Sequence, residues 1–284
     1  MTDKHTLDLA RQGESMFELH TGDCIDVLKT LPDSSVDSVV TSPPYAMQRK
    51  STYGGVPEKD YPEWTVAWMQ EVWRVLKDDG SVIINISPHI RKGEISDYVL
   101  RTRLALRDAG WAELPELIWH KTQSMPTGAP NRPRRSWESL LWFAKHGRAF
   151  GNPKANGHPL KEWKDHATSQ AEDNGWAHTW EGSRKRPDIA RCTDIYSSRI
   201  NQVKTGHPAT FPVGLAEWCG RLITPPGGTI LDPFTGSSST GVAAIRNGWN
   251  FIGIDQSEEY IDMSNRRLSA ELAKATEEYD DGQD

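Results

Sequence analysis

The chain has 284 residues, 36% of them hydrophobic and 25% charged, with a mean hydropathy of −0.64. That length suits one large α/β domain carrying an insertion, and no run of eighteen apolar residues is present to cross a bilayer. The net charge of −6 speaks against a uniformly basic surface, yet His120 to Gly206 holds 15 Lys/Arg against 8 Asp/Glu, a local +7 that leaves −13 elsewhere.

Taken in chain order, Met1 to Gln12 is charged and has no apolar core, so no secretory signal is expected. Phe17 to His20 reads as a short strand ending at Thr21-Gly22-Asp23. Val36 to Thr41 is a β-branched strand stopped by Ser42-Pro43-Pro44. Trp64 to Leu76 has apolar residues at helical spacing and is closed by Asp79-Gly80. Ser81 to Ile86 reads as a buried strand, Ile95 to Ala109 as a helix, and Glu116 to His120 and Glu138 to Ala144 as strands. From Gly147 to about Gly206 the periodicity fails, and Gly, Asn, Pro, Trp and basic residues dominate. The rhythm resumes with a helix over Phe211 to Ile223 and a strand over Thr229 to Asp232. After a turn come a helix through Arg246, a strand over Asn250 to Asp255 and a helix from Ser257 to about Ala275. This alternation predicts a mostly parallel sheet with helices on both faces. The domain organisation expected is a first half over 1–146, an insertion over 147–205 and a second half over 206–284.

Two constellations carry chemistry. In Leu231 to Gly241 a strand delivers Asp232, and a small-residue turn (Pro233-Phe234-Thr235-Gly236-Ser237-Ser238) leads into a helix N-terminus. Small residues let a ligand approach the backbone, and about twenty residues on, Asp255 ends the next strand, where a carboxylate can accept both hydroxyls of a ribose. The chain has no Gly-Lys-Ser/Thr and no Gly-x-Gly-x-x-Gly, which leaves a nucleoside-bearing cofactor without a pyrophosphate. In Val40 to Tyr45, two prolines directly after a strand remove two N–H donors. Carbonyl acceptors and the Ser42 hydroxyl then face the carboxyl edge of the sheet beside Tyr45, expected to be an exposed stacking plate. Acceptors next to an aromatic plate suit an exocyclic amino group on a planar base.

Thr41-Ser42-Pro43-Pro44-Tyr45 followed far downstream by Asp232-Pro233-Phe234-x-Gly236-Ser237 resembles the S-adenosylmethionine-dependent DNA amino-methyltransferases. The order, catalytic motif first and cofactor motif last, resembles their permuted β group. Gly22-Asp23-Cys24, Gly80 to Ile86 and His207-Pro208-Ala209-Thr210-Phe211-Pro212 are further matches, so that the resemblance covers about 17–145 and 206–268. It implies a circularly permuted, Rossmann-like class I methyltransferase sheet, mostly parallel with an antiparallel edge. It also implies catalytic roles for Ser42, Pro43, Pro44 and Tyr45, and cofactor contacts from Asp23, Asp232, Phe234, Gly236, Ser237, Asp255 and Pro208. One departure stands out: Ser238 occupies a position that is usually glycine in the family.

The residue chemistry narrows the reaction. Methylation at C5 of cytosine uses a cysteine after a proline in its own family, and none of Cys24, Cys192 and Cys219 follows one. Between the two exocyclic amines, Ser42 resembles the N4-cytosine form, with N6-adenine as the alternative. RNA or protein-glutamine methyltransferases carry the motifs in the other order, and an inactive DNA-binding module would be expected to have lost some of these residues. Double-stranded DNA is the expected partner, with a companion restriction endonuclease, an orphan role and a phage-borne one left as alternatives. Its contacts are expected from Arg132, Arg134, Arg135, Arg184, Lys185 and Arg186, among the interleaved Trp163, Trp176 and Trp180. His158, His166 and His178 lack metal-ligand spacing, so no metal is expected. Three scattered cysteines and the lack of a leader imply a reduced, cytoplasmic protein.

Overall fold

The computed structural model describes residues 16–47, 55–91, 93–123, 131–159, 188–199 and 212–280. Among them, eleven strands and six main helices follow one another in this order: β1 (Phe17–Thr21), α1 (Cys24–Leu28), β2 (Val36–Thr41), α2 (Tyr61–Val75), β3 (Leu76–Ile86), β4 (Ile90–Arg91), β5 (Glu94–Ile95), α3 (Tyr98–Asp108), β6 (Ala112–Glu113), β7 (Leu117–Lys121), β8 (Trp137–Ala144), β9 (Ile195–Ser198), α4 (Val213–Ile223), β10 (Thr229–Asp232), α5 (Ser239–Asn247), β11 (Asn250–Asp255) and α6 (Glu258–Asp280). Nine strands form one sheet in the order β1-β11-β10-β2-β3-β8-β7-β9, with β6 beside β8, and β4 and β5 make a separate hairpin. From β1 to β3 all pairs are parallel; β8 is antiparallel to both β3 and β7, and β9 is parallel to β7.

The central strands are apolar on both faces because helices cover both. Successive side chains point to opposite sides, so Val82, Ile84 and Ile86 of β3 join one core while Ile83 joins the other. Val39 and Val40 of β2, and Leu231 and Ile230 of β10, divide in the same way. The first core is closed by α1, α2 and α3 around buried Trp68, Tyr61 and Tyr98; the second by α4, α5 and α6 around Trp218, Trp249 and Leu268. The sheet thus sits between two helical layers, as the alternation predicts.

Several boundaries shift for local reasons. The helix expected from Trp64 begins at Tyr61, with a proline in its first turn, where the missing N–H costs nothing. It ends at Val75, and Leu76 already opens β3, whose pairing with β2 is irregular between Val36 and Ser38. Asp79-Gly80 therefore lies in a bulged strand and not in a helix cap; a Cβ at Gly80 would meet the Asp37 carbonyl at 2.6 Å. The helix expected from Ile95 starts at Tyr98, because the chain first turns through the hairpin that pairs Ile90 with Ile95. In the aperiodic stretch, Ile195–Ser198 forms an edge strand on β7, while the Asn152 amide and the Asn156 side chain bond to carbonyls of α4. Its described ends are thus built into the sheet body.

Candidate active site

β2 and β10 are neighbouring parallel strands, with Leu231 opposite Val39, so both motifs emerge at one carboxyl edge. A direct bond ties them: Thr41 Oγ1 donates to Asp232 Oδ1 at 2.7 Å across 191 residues of chain.

The corner after β2 is held mainly by side chains. The Tyr61 hydroxyl donates to the Pro44 carbonyl at 3.1 Å, His89 meets the Ala46 carbonyl, and the Met47 amide bonds to Val56. Among the described residues nothing donates to the Pro43 carbonyl. Tyr45 is half-buried, not the exposed plate expected, because its hydroxyl reaches back to donate to Glu138 Oε2 at 2.8 Å. Burial, and then the Glu138 charge, push the phenol well above its usual range, so Tyr45 is a neutral donor. Glu138 also accepts from Asn85 Nδ2 at 3.0 Å and from Lys121 Nζ. Glu138 and Lys121 belong to no motif, and Asn85 lies in the matched stretch Gly80 to Ile86 without a role of its own there; only their places at strand ends on this edge could have pointed to them.

The turn after β10 is organised through backbone amides. The Phe234 amide donates to Asp232 Oδ1 at 3.1 Å, and Thr240 Oγ1 donates to Oδ2 at 2.9 Å. Asp232 is 1% exposed with both oxygens occupied by these groups and Thr41, so it braces the turn from beneath instead of facing solvent. Burial raises its pKa from 3.8 to about 6 in spite of these hydrogen bonds. Asp255 is also buried: its oxygens accept from the Gly236 amide and the Ser257 amide, each at 2.9 Å. Asp23 is exposed, caps α1 through the Ile25 amide, and is joined to the neighbourhood of Asp255 by Gln256 Nε2 at 2.8 Å. Phe234 packs on Trp64 and Trp68, with ring centroids 5.5 and 5.3 Å away. From α6, Ser264 donates to the Gly236 carbonyl and Arg267 to the Ser237 carbonyl, at 2.8 and 2.5 Å.

Gly236 has a φ of +51°, a conformation that favours glycine. Ser238, the departure from the family pattern, adopts φ +54° and ψ +50°. Its hydroxyl lies 2.8 Å from Thr235 Oγ1 and is fully buried. The extra group therefore bonds within its own turn, to Thr235, and makes no capping bond to the helix.

The basic residues divide. Arg134 lines an open polar basin of about 530 Å³ with His120, Lys121, Thr122, Gln123 and Ser136. Arg135 donates to the Pro88 carbonyl at 2.6 Å and lies over the Trp137 ring, and Arg132 donates to the Gly93 carbonyl. Pro208, Arg184, Lys185 and Arg186, with Trp163, Trp176, Trp180, His166 and His178, lie outside the described residues. The thiol of Cys24 is buried and pushed up to about 12, and burial also raises that of Cys219, which disfavours thiolate nucleophiles at either position.

A family model described as DNA methylase, of the N6/N4 methyltransferase type, matches residues 36–266. The chain belongs to this family. It is a DNA methyltransferase acting on an exocyclic amine, with S-adenosylmethionine as methyl donor. The type II methyltransferase M.XycI of Xanthomonas campestris pv. cyanopsidis is 28% identical, over 93% of this chain and 90% of its own. M.Cfr9I of Citrobacter freundii is 27% identical over the same shares. Among solved structures, the cytosine-N4-specific PvuII DNA methyltransferase aligns with a TM-score of 0.68 at 21% identity over 93% of both chains. A DNA modification methylase of Thermus thermophilus, complexed with S-adenosyl-L-methionine, aligns with a TM-score of 0.58 at 24% identity, over 89% of this chain and 95% of its own. These structures share the class I methyltransferase fold. No helix among the described residues is long and apolar enough to cross a membrane.

Proposed function

We propose that this methyltransferase modifies N4 of cytosine in double-stranded DNA by flipping the base and transferring the methyl group directly. The observation that carries the reading is the Thr41–Asp232 bond, which brings the proline corner and the cofactor turn to one mouth. Ser42 in place of an acidic residue supports cytosine, as does the likeness to a neighbour named as cytosine-N4-specific.

The donor set suits a sulfonium nucleoside. Asp23 and Asp255 would take the ribose hydroxyls, while Phe234, Gly236 and Ser237 would line the approach to the rest of the cofactor. Asp232 and Ser238 hold that turn from beneath. When bound, the cofactor supplies an electrophilic methyl group. The protein's part is to position the amine. A base swung out of the duplex stacks on Tyr45. Ser42 Oγ and the Pro43 carbonyl accept the two amino hydrogens, which draws the nitrogen lone pair out of ring conjugation and aligns it for in-line attack. The Pro44 carbonyl, already occupied by Tyr61, fixes the corner. The basin bearing Arg134, with Arg132 and Arg135 nearby, faces the same edge as the corner and would meet DNA phosphate, as would Arg184, Lys185 and Arg186. The type II relatives support a restriction–modification role with a companion endonuclease.

The test is to methylate mixed-sequence DNA with purified protein, digest it to nucleosides and weigh the products. N4-methyldeoxycytidine is expected; N6-methyldeoxyadenosine would replace the cytosine assignment by the adenine one.

A further inference from the structure

The tyrosine given the stacking role is tied to a cluster that neither motif contains. Tyr45 Oη donates to Glu138 Oε2 at 2.8 Å, and Asn85 Nδ2 reaches both that oxygen, at 3.0 Å, and Tyr45 Oη, at 3.2 Å. Lys121 Nζ closes the group by donating to Glu138 Oε1. The three partners come from β3, β7 and β8, the strands where the sheet changes from parallel to antiparallel. All are well shielded: the side chains of Glu138 and Lys121 are 14% and 18% exposed, and Asn85 is 4% exposed.

The chemistry of the cluster gives it one stable arrangement. Glu138 is surrounded by three donors, so the Asn85 amide must turn its nitrogen to the carboxylate. That choice leaves Asn85 Oδ1 buried with no hydrogen-bond partner. An arrangement selected for stability alone would not strand an acceptor this way. What the cluster does achieve is geometric. The prolines fix the backbone end of Tyr45, and Glu138 holds the far end of the phenol, so the ring plane is set before any base arrives.

We propose that Glu138, itself held by Lys121 and Asn85, is the positioning residue of the catalytic tyrosine and sets the orientation of the plate on which the flipped base stacks. The proposal rests on the stacking role given to Tyr45. Glutamine at this position keeps the shape but brings an NH₂ against either Lys121 or the Tyr45 and Asn85 donors. Glu138→Gln therefore loosens the ring while leaving the cofactor turn untouched.

The test is a double-mutant cycle on full-length protein, with kcat, KM for DNA, cofactor affinity and melting temperature measured for Glu138→Gln, Tyr45→Phe and the double variant. Each single change is expected to lower kcat about tenfold, with KM and cofactor affinity held within about twofold. The double variant is expected to be no slower than the worse single, because both remove the same bond. Losses that multiply to about a hundredfold would overturn the proposal, since Glu138 would then act independently of Tyr45. Should Glu138→Gln fail to fold, the same cycle with Asn85→Ala applies, with the same two outcomes. Tyr45→Ala separates the two levels of the argument. Unchanged kcat there would remove the stacking role and the proposal with it, whereas a large loss beside a multiplicative cycle would remove the proposal alone.

Discussion

The two turns at the carboxyl edge solve opposite problems. The corner at Ser42–Tyr45 has two prolines and so offers mainly acceptors; the rest of the protein must supply donors, and does so with Tyr61, while the substrate amine supplies its own. The turn at Pro233–Ser238 offers backbone donors, and the protein meets them with two buried carboxylates, Asp232 and Asp255. One turn is held by side chains reaching in from α2 and β8, the other by its own backbone amides folded around acids, with Ser264 and Arg267 of α6 bound to its carbonyls. Substitutions should therefore act differently in the two places: at the corner they disturb alignment, and at the turn they disturb cofactor binding and stability.

The largest expected effect breaks or keeps that division outright. Tyr45→Ala should lower kcat about a hundredfold with cofactor affinity changed less than about twofold, the loss of one stacked base and its alignment. Asp255→Ala should do the reverse, weakening cofactor binding about a hundredfold by leaving the Gly236 and Ser257 amides unpaired and removing a ribose acceptor. Steady-state kinetics and calorimetric titration of the cofactor distinguish these, and equal losses of both quantities in both variants would erase the contrast.

A second effect is specific to the turn. Burial raises the Asp232 pKa from 3.8 to about 6, so the folded state binds a proton that the unfolded chain releases between about pH 4 and 6. The stabilisation from that proton is complete below about pH 4 and is lost as pH rises through 6, a swing of about 3 kcal/mol. Urea unfolding of the wild type and Asp232→Asn between pH 4.5 and 7.5 should show the wild type losing stability relative to the variant as pH rises. A difference independent of pH would contradict the buried-acid picture.

The smallest effect sharpens the reading of Ser238. Ser238→Ala removes the bond to Thr235 and keeps the left-handed backbone, so it should cost about 1 kcal/mol. Ser238→Gly loses the same bond but relieves a strain of about 1 kcal/mol, so its melting temperature should lie close to that of the wild type.

Much of this was legible along the chain. The strands over Val36–Thr41, Thr229–Asp232 and Asn250–Asp255 lie at the expected residues, because β-branched and apolar runs bounded by Pro, Gly and Asp have few other readings. Other elements were not. Ile195–Ser198 has no apolar run of its own and becomes a strand only because the edge of β7 is open to pair with it. Lys77–Gly80 reads as a helix end but continues a strand, because pairing with β2 outweighs local turn propensity. The burial of Tyr45 and Asp232 was also hidden, since exposure depends on what packs against a residue.

Residue type alone determined the chemistry available here. Prolines that cannot donate, a serine in front of them and an acid before a small-residue turn are local facts that suit an exocyclic amine and a nucleoside-bearing cofactor, and the resemblance they carry implies amine methylation without any coordinates. Only the tertiary structure decided where those groups meet and which others join them. Thr41 touches Asp232 because β2 and β10 are adjacent and in register, and Glu138 and Asn85 reach Tyr45, with Lys121 on Glu138, because β3 and β7 end and β8 begins at the same edge. Strand order and register arise from long-range pairing and the division of apolar side chains between two cores, and no local pattern encodes either.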